Sequence, residues 1–237
     1  ARVLIAGPAM PTELPAEPIL AVAFDLDGLI VNTEHVFHLA MAELVEARGM
    51  AIPNGLPRAM MGKRPQDSYG IMKQMLGVED SPEALHDETH DRFFRLLEIH
   101  LDLMPGVFEL LDQLERIGLP KAVATSSPRK YLSGILERFD LTDRFAFSLT
   151  AEDVVNGKPH PEIYLAAADR HGIAPQQMLV FEDSENGTRA GSSAGAFVVS
   201  VPHDHSRDHE FSPTGLVADT LSDPRIASIL NAHRETP

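Results

Sequence analysis

The sequence of 237 residues contains no cysteine. Disulfides, a thiolate nucleophile and thiolate-bound metals are therefore excluded, which fits a cytoplasmic protein. No apolar run approaches the ~18 residues needed to span a bilayer. Positive charge is scarce: Lys and Arg number 20 against 35 Asp and Glu, a formal net charge of -15. Such a chain is poorly suited to nucleic acid or an anionic membrane, both of which need basic patches. An anionic substrate is awkward for the same reason, unless local cations or a metal reverse the potential at the site. Internal repeats and low-complexity segments are absent. The first residues carry Pro8, Pro11, Pro15 and Pro18 but lack the apolar core and cleavage site of a signal peptide. Residues 1–19 read as an arm, poorly ordered.

What is present is a hydrophobic content of 43%, ordinary for one large domain or a domain with an insert. Leu20 to Phe24 reads as a buried strand. Helical spacing follows over 35–48, with Phe37, Ala40, Met41, Leu44 and Val45 on one face. Further helices are expected over 65–76 and up to about His100, the latter capped by Ser81 with Pro82 behind it. Gly106 to Ile117 is another helix, stopped by Gly118. Beyond it, strands at 121–124, 146–149, 178–181 and 196–201 alternate with helices at 129–139, 161–171, 185–194 and 223–232. That alternation predicts an α/β fold with a doubly wound parallel sheet. An α-helical cap domain, 33–104, interrupts a core made of 20–32 and 105–237.

In such sheets ligands bind outside the carboxyl ends of the strands. The polar residues there are Asp25 and Asp27 after the first strand, Thr125, Ser126 and Ser127 after the second, Lys158 after the third, and Glu182 and Asp183 after the fourth. Asp25, at the strand end, is placed to act as a nucleophile on phosphorus. Gly28 permits a bend that re-aims Asp27 as general acid and base. Glu182 and Asp183 with Asp25 offer the oxygen ligands that suit Mg²⁺. The Thr125 hydroxyl and the N–H groups at the start of the next helix form a phosphate cradle, and Lys158 adds a positive charge. Each piece alone has a plainer reading. Asp-x-Asp-Gly is common in loops, Glu182 and Asp183 could cap the helix from Ser184, Ser127 before Pro128 reads as an N-cap, and a lysine before proline is usually a surface turn. Together they describe phosphoryl transfer.

These residues resemble the haloacid dehalogenase superfamily over about residues 20 to 202. The motifs are Phe24-Asp25-Leu26-Asp27-Gly28, Val123-Ala124-Thr125-Ser126-Ser127, Gly157-Lys158-Pro159-His160-Pro161 and Val180-Phe181-Glu182-Asp183-Ser184. Met61-Gly62-Lys63-Arg64 and the Leu103-Met104-Pro105-Gly106 hinge are similar to the pseudouridine-5'-phosphatase and sugar-phosphate phosphatase branch. Beta-phosphoglucomutases share that architecture. The resemblance implies a metal held by Asp25, the Asp27 carbonyl and Asp183, with Glu182 beside it. It also implies phosphate binding by Thr125, the Ser126 amide and Lys158. Asn32 stands where relatives usually have aspartate, which predicts altered contacts at the cap hinge. Pro128-Arg129 and Pro65 depart from the mutase pattern.

In the cap, Gly62, Lys63, Arg64 and Thr33 are candidates for choosing the leaving group. Met60, Met61, Met72 and Met75 are expected to pack inside it. His203, His205 and His209, with Asp204 and Asp208, follow the last core strand without any regular zinc spacing and read as a solvated loop. The expected function is Mg²⁺-dependent hydrolysis of a small-molecule phosphate ester, a sugar or nucleoside monophosphate, by a monomer or weak dimer. A phosphomutase is the alternative. A non-catalytic binding module is less favoured, because the nucleophile and the cation ligands are all there.

Overall fold

The computed structural model of the protein describes residues 14–60, 64–204, 206–207 and 209–232. In chain order its strands and α-helices are β1 (Ala21–Phe24), α1 (Thr33–Glu46), α2 (Leu56–Met60), α3 (Pro65–Leu76), α4 (Pro82–His100), α5 (Val107–Arg116), β2 (Lys121–Ala124), α6 (Arg129–Arg138), β3 (Phe147–Leu149), α7 (Glu162–His171), β4 (Met178–Glu182), α8 (Glu185–Ala194), β5 (Phe197–Ser200), β6 (Leu216–Val217) and α9 (Pro224–Asn231). They form two compact units. One runs to Val31 and resumes at Leu103, and the other is Asn32–Asp102. No helix among the described residues is long and apolar enough to cross a membrane.

The first unit is built on one sheet, ordered β3-β2-β1-β4-β5-β6, with every neighbouring pair parallel. The doubly wound sheet expected from the alternation of elements is the fold observed. All four residues of β1 and all five of β4 are buried, as strands covered on both faces must be, and their apolar runs follow from that. Phe24 of β1 stacks on Phe181 of β4 with ring centroids 5.1 Å apart and meets Phe145 edge-on. A second cluster joins Ala23, Val180 and Val198 of the sheet to Ile163, Tyr164 and Ala167 of α7.

Among the described residues, the elements of the second unit are all helices. Ser81 caps α4 by accepting a hydrogen bond from the Ala84 N–H at 3.1 Å, with Pro82 at the first helical position. The α3 helix starts at Pro65 and ends on Gly77, at φ 67°. Its core gathers Met41, Leu44, Leu56, Met60, Tyr69, Met72 and Leu85. Met75, expected inside, is 39% exposed, and Met61 lies outside the described residues. The ends of the unit are tied together at Asn32. Its N–H donates to Asp102 O (3.0 Å), its Oδ1 accepts from the Asp102 N–H (2.8 Å), and its Nδ2 donates to His100 O (3.1 Å).

Leu44 is fully buried in this helical core. Leu44→Ala is expected to destabilise the protein by about 2–5 kcal/mol, read as an earlier transition in urea unfolding followed by circular dichroism.

Candidate active site

The strand order decides which loops meet. The chain leaves β1, builds β2 and β3 on one side, then returns to place β4 on the other. That reversal opens a crevice at the carboxyl ends of β1 and β4. Phe24 is in register with Val123 of β2 and Phe181 of β4, and the Asp25 N–H donates to Phe181 O at 3.0 Å. Asp25 therefore stands level with Ala124, the residue before Thr125, on one flank and with Glu182, the residue before Asp183, on the other.

Asp25, Glu182 and Asp183 are all buried, and oxygen atoms of the three lie within 4.8 Å of one another. Lys158 reaches into this cluster from the loop before α7. Its ammonium donates to Asp25 Oδ1 (2.5 Å), Glu182 Oε1 (2.6 Å) and Ala124 O (2.9 Å). All three of its protons are used. Tyr164 donates to the same Glu182 oxygen at 2.6 Å. Glu182 Oε2 accepts from the Ser184 hydroxyl and from the N–H groups of Asp183 and Ser184. Both Glu182 oxygens are thus engaged by the protein itself. The helix cap once available to these acids is supplied by Ser184, whose hydroxyl accepts from the Gly187 N–H at 3.1 Å. Position 187 must be glycine, since a Cβ there would sit 1.8 Å from Glu182 Oε1.

Burial pushes the Asp25 carboxyl up to about 7. Lys158 pulls it down, while Glu182 and Asp27 add to the rise. Burial likewise works against the Lys158 charge, but Asp25 and Glu182 outweigh it and hold the ammonium well above its ordinary value. The centre gathers three buried carboxylates around one ammonium, which donates to two of them, Asp25 and Glu182. Hard oxygen donors are what a divalent cation such as Mg²⁺ requires, so the residues present fit one.

Asp27 is set differently. Oδ2 accepts from the Ser127 hydroxyl at 2.5 Å and from Thr125 Oγ1 at 3.4 Å, and Oδ1 accepts from the Tyr131 hydroxyl at 3.2 Å. Ser127 therefore does not cap α6. Pro128 occupies the cap position and no side chain caps it. The N–H of Arg129, expected to face phosphate, donates instead to the Glu152 carboxylate at 3.1 Å. Thr125 is buried with its Oγ1 accepting from the Ser127 N–H, and Ser126 is exposed on the same loop.

The loop after β5 exposes Asp204 and Arg207, as the sequence suggests, but turns His203 inward. His203 Nε2 lies 3.0 Å from Asp183 Oδ2, and the histidine side chain is only 10% exposed. A turn holds it there, with Ser206 Oγ accepting from the His203 N–H. Gly28, at φ 80°, packs against the pair, and a Cβ on it would meet Asp183 Oδ2 at 2.5 Å. Spacing in the sequence could not have paired residues 183 and 203, because the partner of the histidine is set by the β4–β5 register. His205 and Asp208 lie outside the described residues.

Among the cap candidates, Arg64 is exposed and pairs with Asp67 at 3.1 Å. Thr33 is buried at the start of α1, and its Oγ1 has no hydrogen-bond partner among the described residues. Gly62 and Lys63 lie outside the described residues.

Residues 19–195 match the family profile described as haloacid dehalogenase-like hydrolase. A phosphorylated carbohydrates phosphatase of Thermotoga maritima is 34% identical over 74% of this chain and 81% of its own. A Drosophila melanogaster protein named probable pseudouridine-5'-phosphatase is 32% identical over 84% of this chain and 89% of its own. The crystal structure of a HAD family hydrolase from Deinococcus radiodurans, with bound phosphate and sodium, superposes with a TM-score of 0.74 at 26% identity, covering 91% of this chain and 96% of that one.

Replacing Lys158 by methionine strips Asp25 and Glu182 of their shared cation. Removing one partner of a buried ion pair is strongly destabilising, so Lys158→Met is expected to cost about 3–5 kcal/mol in urea unfolding without added divalent metal. An unchanged midpoint would show that the ammonium does not hold the cluster together.

Proposed function

The chain belongs to the haloacid dehalogenase-like hydrolase family, and from that premise we propose that this phosphoric monoester hydrolase cleaves a sugar or nucleoside monophosphate through a covalent intermediate on Asp25. The observation that carries the reading is the Lys158 contact with Asp25 at 2.5 Å, across 133 residues of sequence, beside Glu182 and Asp183. The names of the relatives, a phosphatase of phosphorylated carbohydrates and a probable pseudouridine-5'-phosphatase, support the substrate class.

Asp25, its ionised form favoured by Lys158 against the opposing effect of burial, attacks phosphorus in line and the ester oxygen departs. Asp27 gives that oxygen its proton. In the second half, Asp27 takes a proton from water as the water oxygen attacks the aspartyl-phosphate, releasing inorganic phosphate and restoring Asp25. Asp25 and Asp183, with the Asp27 carbonyl, would hold Mg²⁺, while Glu182 stands behind them with its own oxygens engaged. The bound ion supplies neutralisation of charge on the phosphoryl oxygens. Thr125 and Ser126 lie on the loop assigned to those oxygens. Arg64 and Thr33, with Gly62 and Lys63, are assigned to choice of the leaving group.

A phosphate-release panel of sugar and nucleoside monophosphates with Mg²⁺ tests this. Turnover with loss of at least about 10³-fold in Asp25→Asn is expected, the variant retaining its circular dichroism spectrum. Full activity in that variant would rule out covalent catalysis by Asp25. Formation of an isomeric sugar phosphate, without free phosphate, would favour a mutase instead.

A further inference from the structure

Two carboxylates one residue apart receive opposite kinds of partner. Asp25 is met by an ammonium, which can only donate. Among the described residues, hydroxyls donate to the side chain of Asp27: Ser127 and Thr125 to Oδ2, and Tyr131 to Oδ1. A hydroxyl donates to a carboxylate and, after a rotation about its C–O bond, accepts from a protonated carboxyl. A lysine or arginine at the same place would hold the anion and oppose the proton. The two carboxylates therefore differ in how they are held, Asp25 by a cation at one oxygen and Asp27 by hydroxyls at both.

Ser127 and Thr125 belong to the loop after β2. Tyr131 comes from the first turn of α6, a helix anchored by the buried side chains of Leu132, Ile135 and Leu136. Its hydroxyl meets the oxygen that the loop hydroxyls do not. A carboxyl gripped at one oxygen can still turn about its broad terminal torsion. Gripped at both, it is aimed.

We propose that Tyr131 is a positioning residue for Asp27, fixing the plane of the carboxyl so that its proton is directed at the departing ester oxygen. This rests on the assignment of Asp27 as general acid. The step served is the transfer of the Asp27 proton to the ester oxygen as the P–O bond breaks and the Asp25–phosphorus bond forms. It follows that the tyrosine hydroxyl matters most where the leaving group needs that proton.

Tyr131→Phe removes the hydroxyl and keeps the ring. The test measures kcat/KM, which reports the step up to loss of the leaving group, on glucose 6-phosphate and on p-nitrophenyl phosphate. The alkoxide of the sugar needs protonation, and p-nitrophenolate departs without it. Tyr131→Phe is expected to lose about tenfold more on the sugar phosphate than on the aryl ester, a fraction of the 10²–10⁴ typical of the acid itself. Asp27→Asn should show the same split, larger. Equal losses of Tyr131→Phe on both esters, or no loss on either, with the split intact in Asp27→Asn, would overturn the role of Tyr131. Absence of the split in Asp27→Asn would instead remove the acid assignment beneath it. Tyr131→Leu, which also loses the ring, should reproduce the split of the phenylalanine variant. A split that appears with leucine alone would assign the effect to ring packing and overturn the proposal.

Discussion

The ammonium of Lys158, wedged between Asp25 and Glu182 with a carbonyl at its third proton, is the interaction on which the rest of the site depends. Buried carboxylates repel one another and lose hydration, a cost of several kcal/mol per ion. The ammonium meets two of the three, and Asp183 has His203 Nε2 at 3.0 Å. The protein offsets part of that cost with neutral donors, the Tyr164 phenol and two backbone N–H groups on Glu182. The oxygens of Asp25 and Asp183 remain suited to a divalent cation.

This arrangement also explains why small residues cluster around it. Glu182 is fully buried at the end of β4, and α8 begins three residues later. Only a residue without a side chain at position 187 lets that helix pass over the carboxylate. On the other side, Gly28 occupies a left-handed conformation in the turn that carries the chain from Asp27 past Asp183 and His203. Close approach of backbone to charge is how a folded chain brings four loops to one point without filling the space a substrate needs.

Much of this was legible in the sequence. The sheet, its helices and the gathering of Asp25, Thr125, Lys158, Glu182 and Asp183 follow from apolar runs ending in polar residues, because a parallel sheet sends every strand end the same way. The exceptions have physical causes. Helix α2 is five residues and β6 two, too short for periodicity to register. Ser127 looked like a cap because serine before proline commonly is one, but a hydroxyl 2.5 Å from a carboxylate has a stronger partner than a backbone amide. Tyr131 gave no signal, and His203 stood out only as one of a group of histidines read as a solvated loop. Each is one polar residue in a helix or loop of ordinary composition, and its meaning lies in a neighbour about 100 positions away for the tyrosine and across a strand register for the histidine.

Asn32 carries a last implication. An aspartate could accept from the Asp102 N–H, but it could not also donate to His100 O, as the amide does. The two ends of the helical unit are consequently stitched side by side, and the roughly 70 residues between them form a closed excursion whose entropy of closure is met locally. A segment that departs and rejoins at one point exerts no pull on the strands it interrupts. Its helices can change in length and composition without shifting the register of the strands it interrupts.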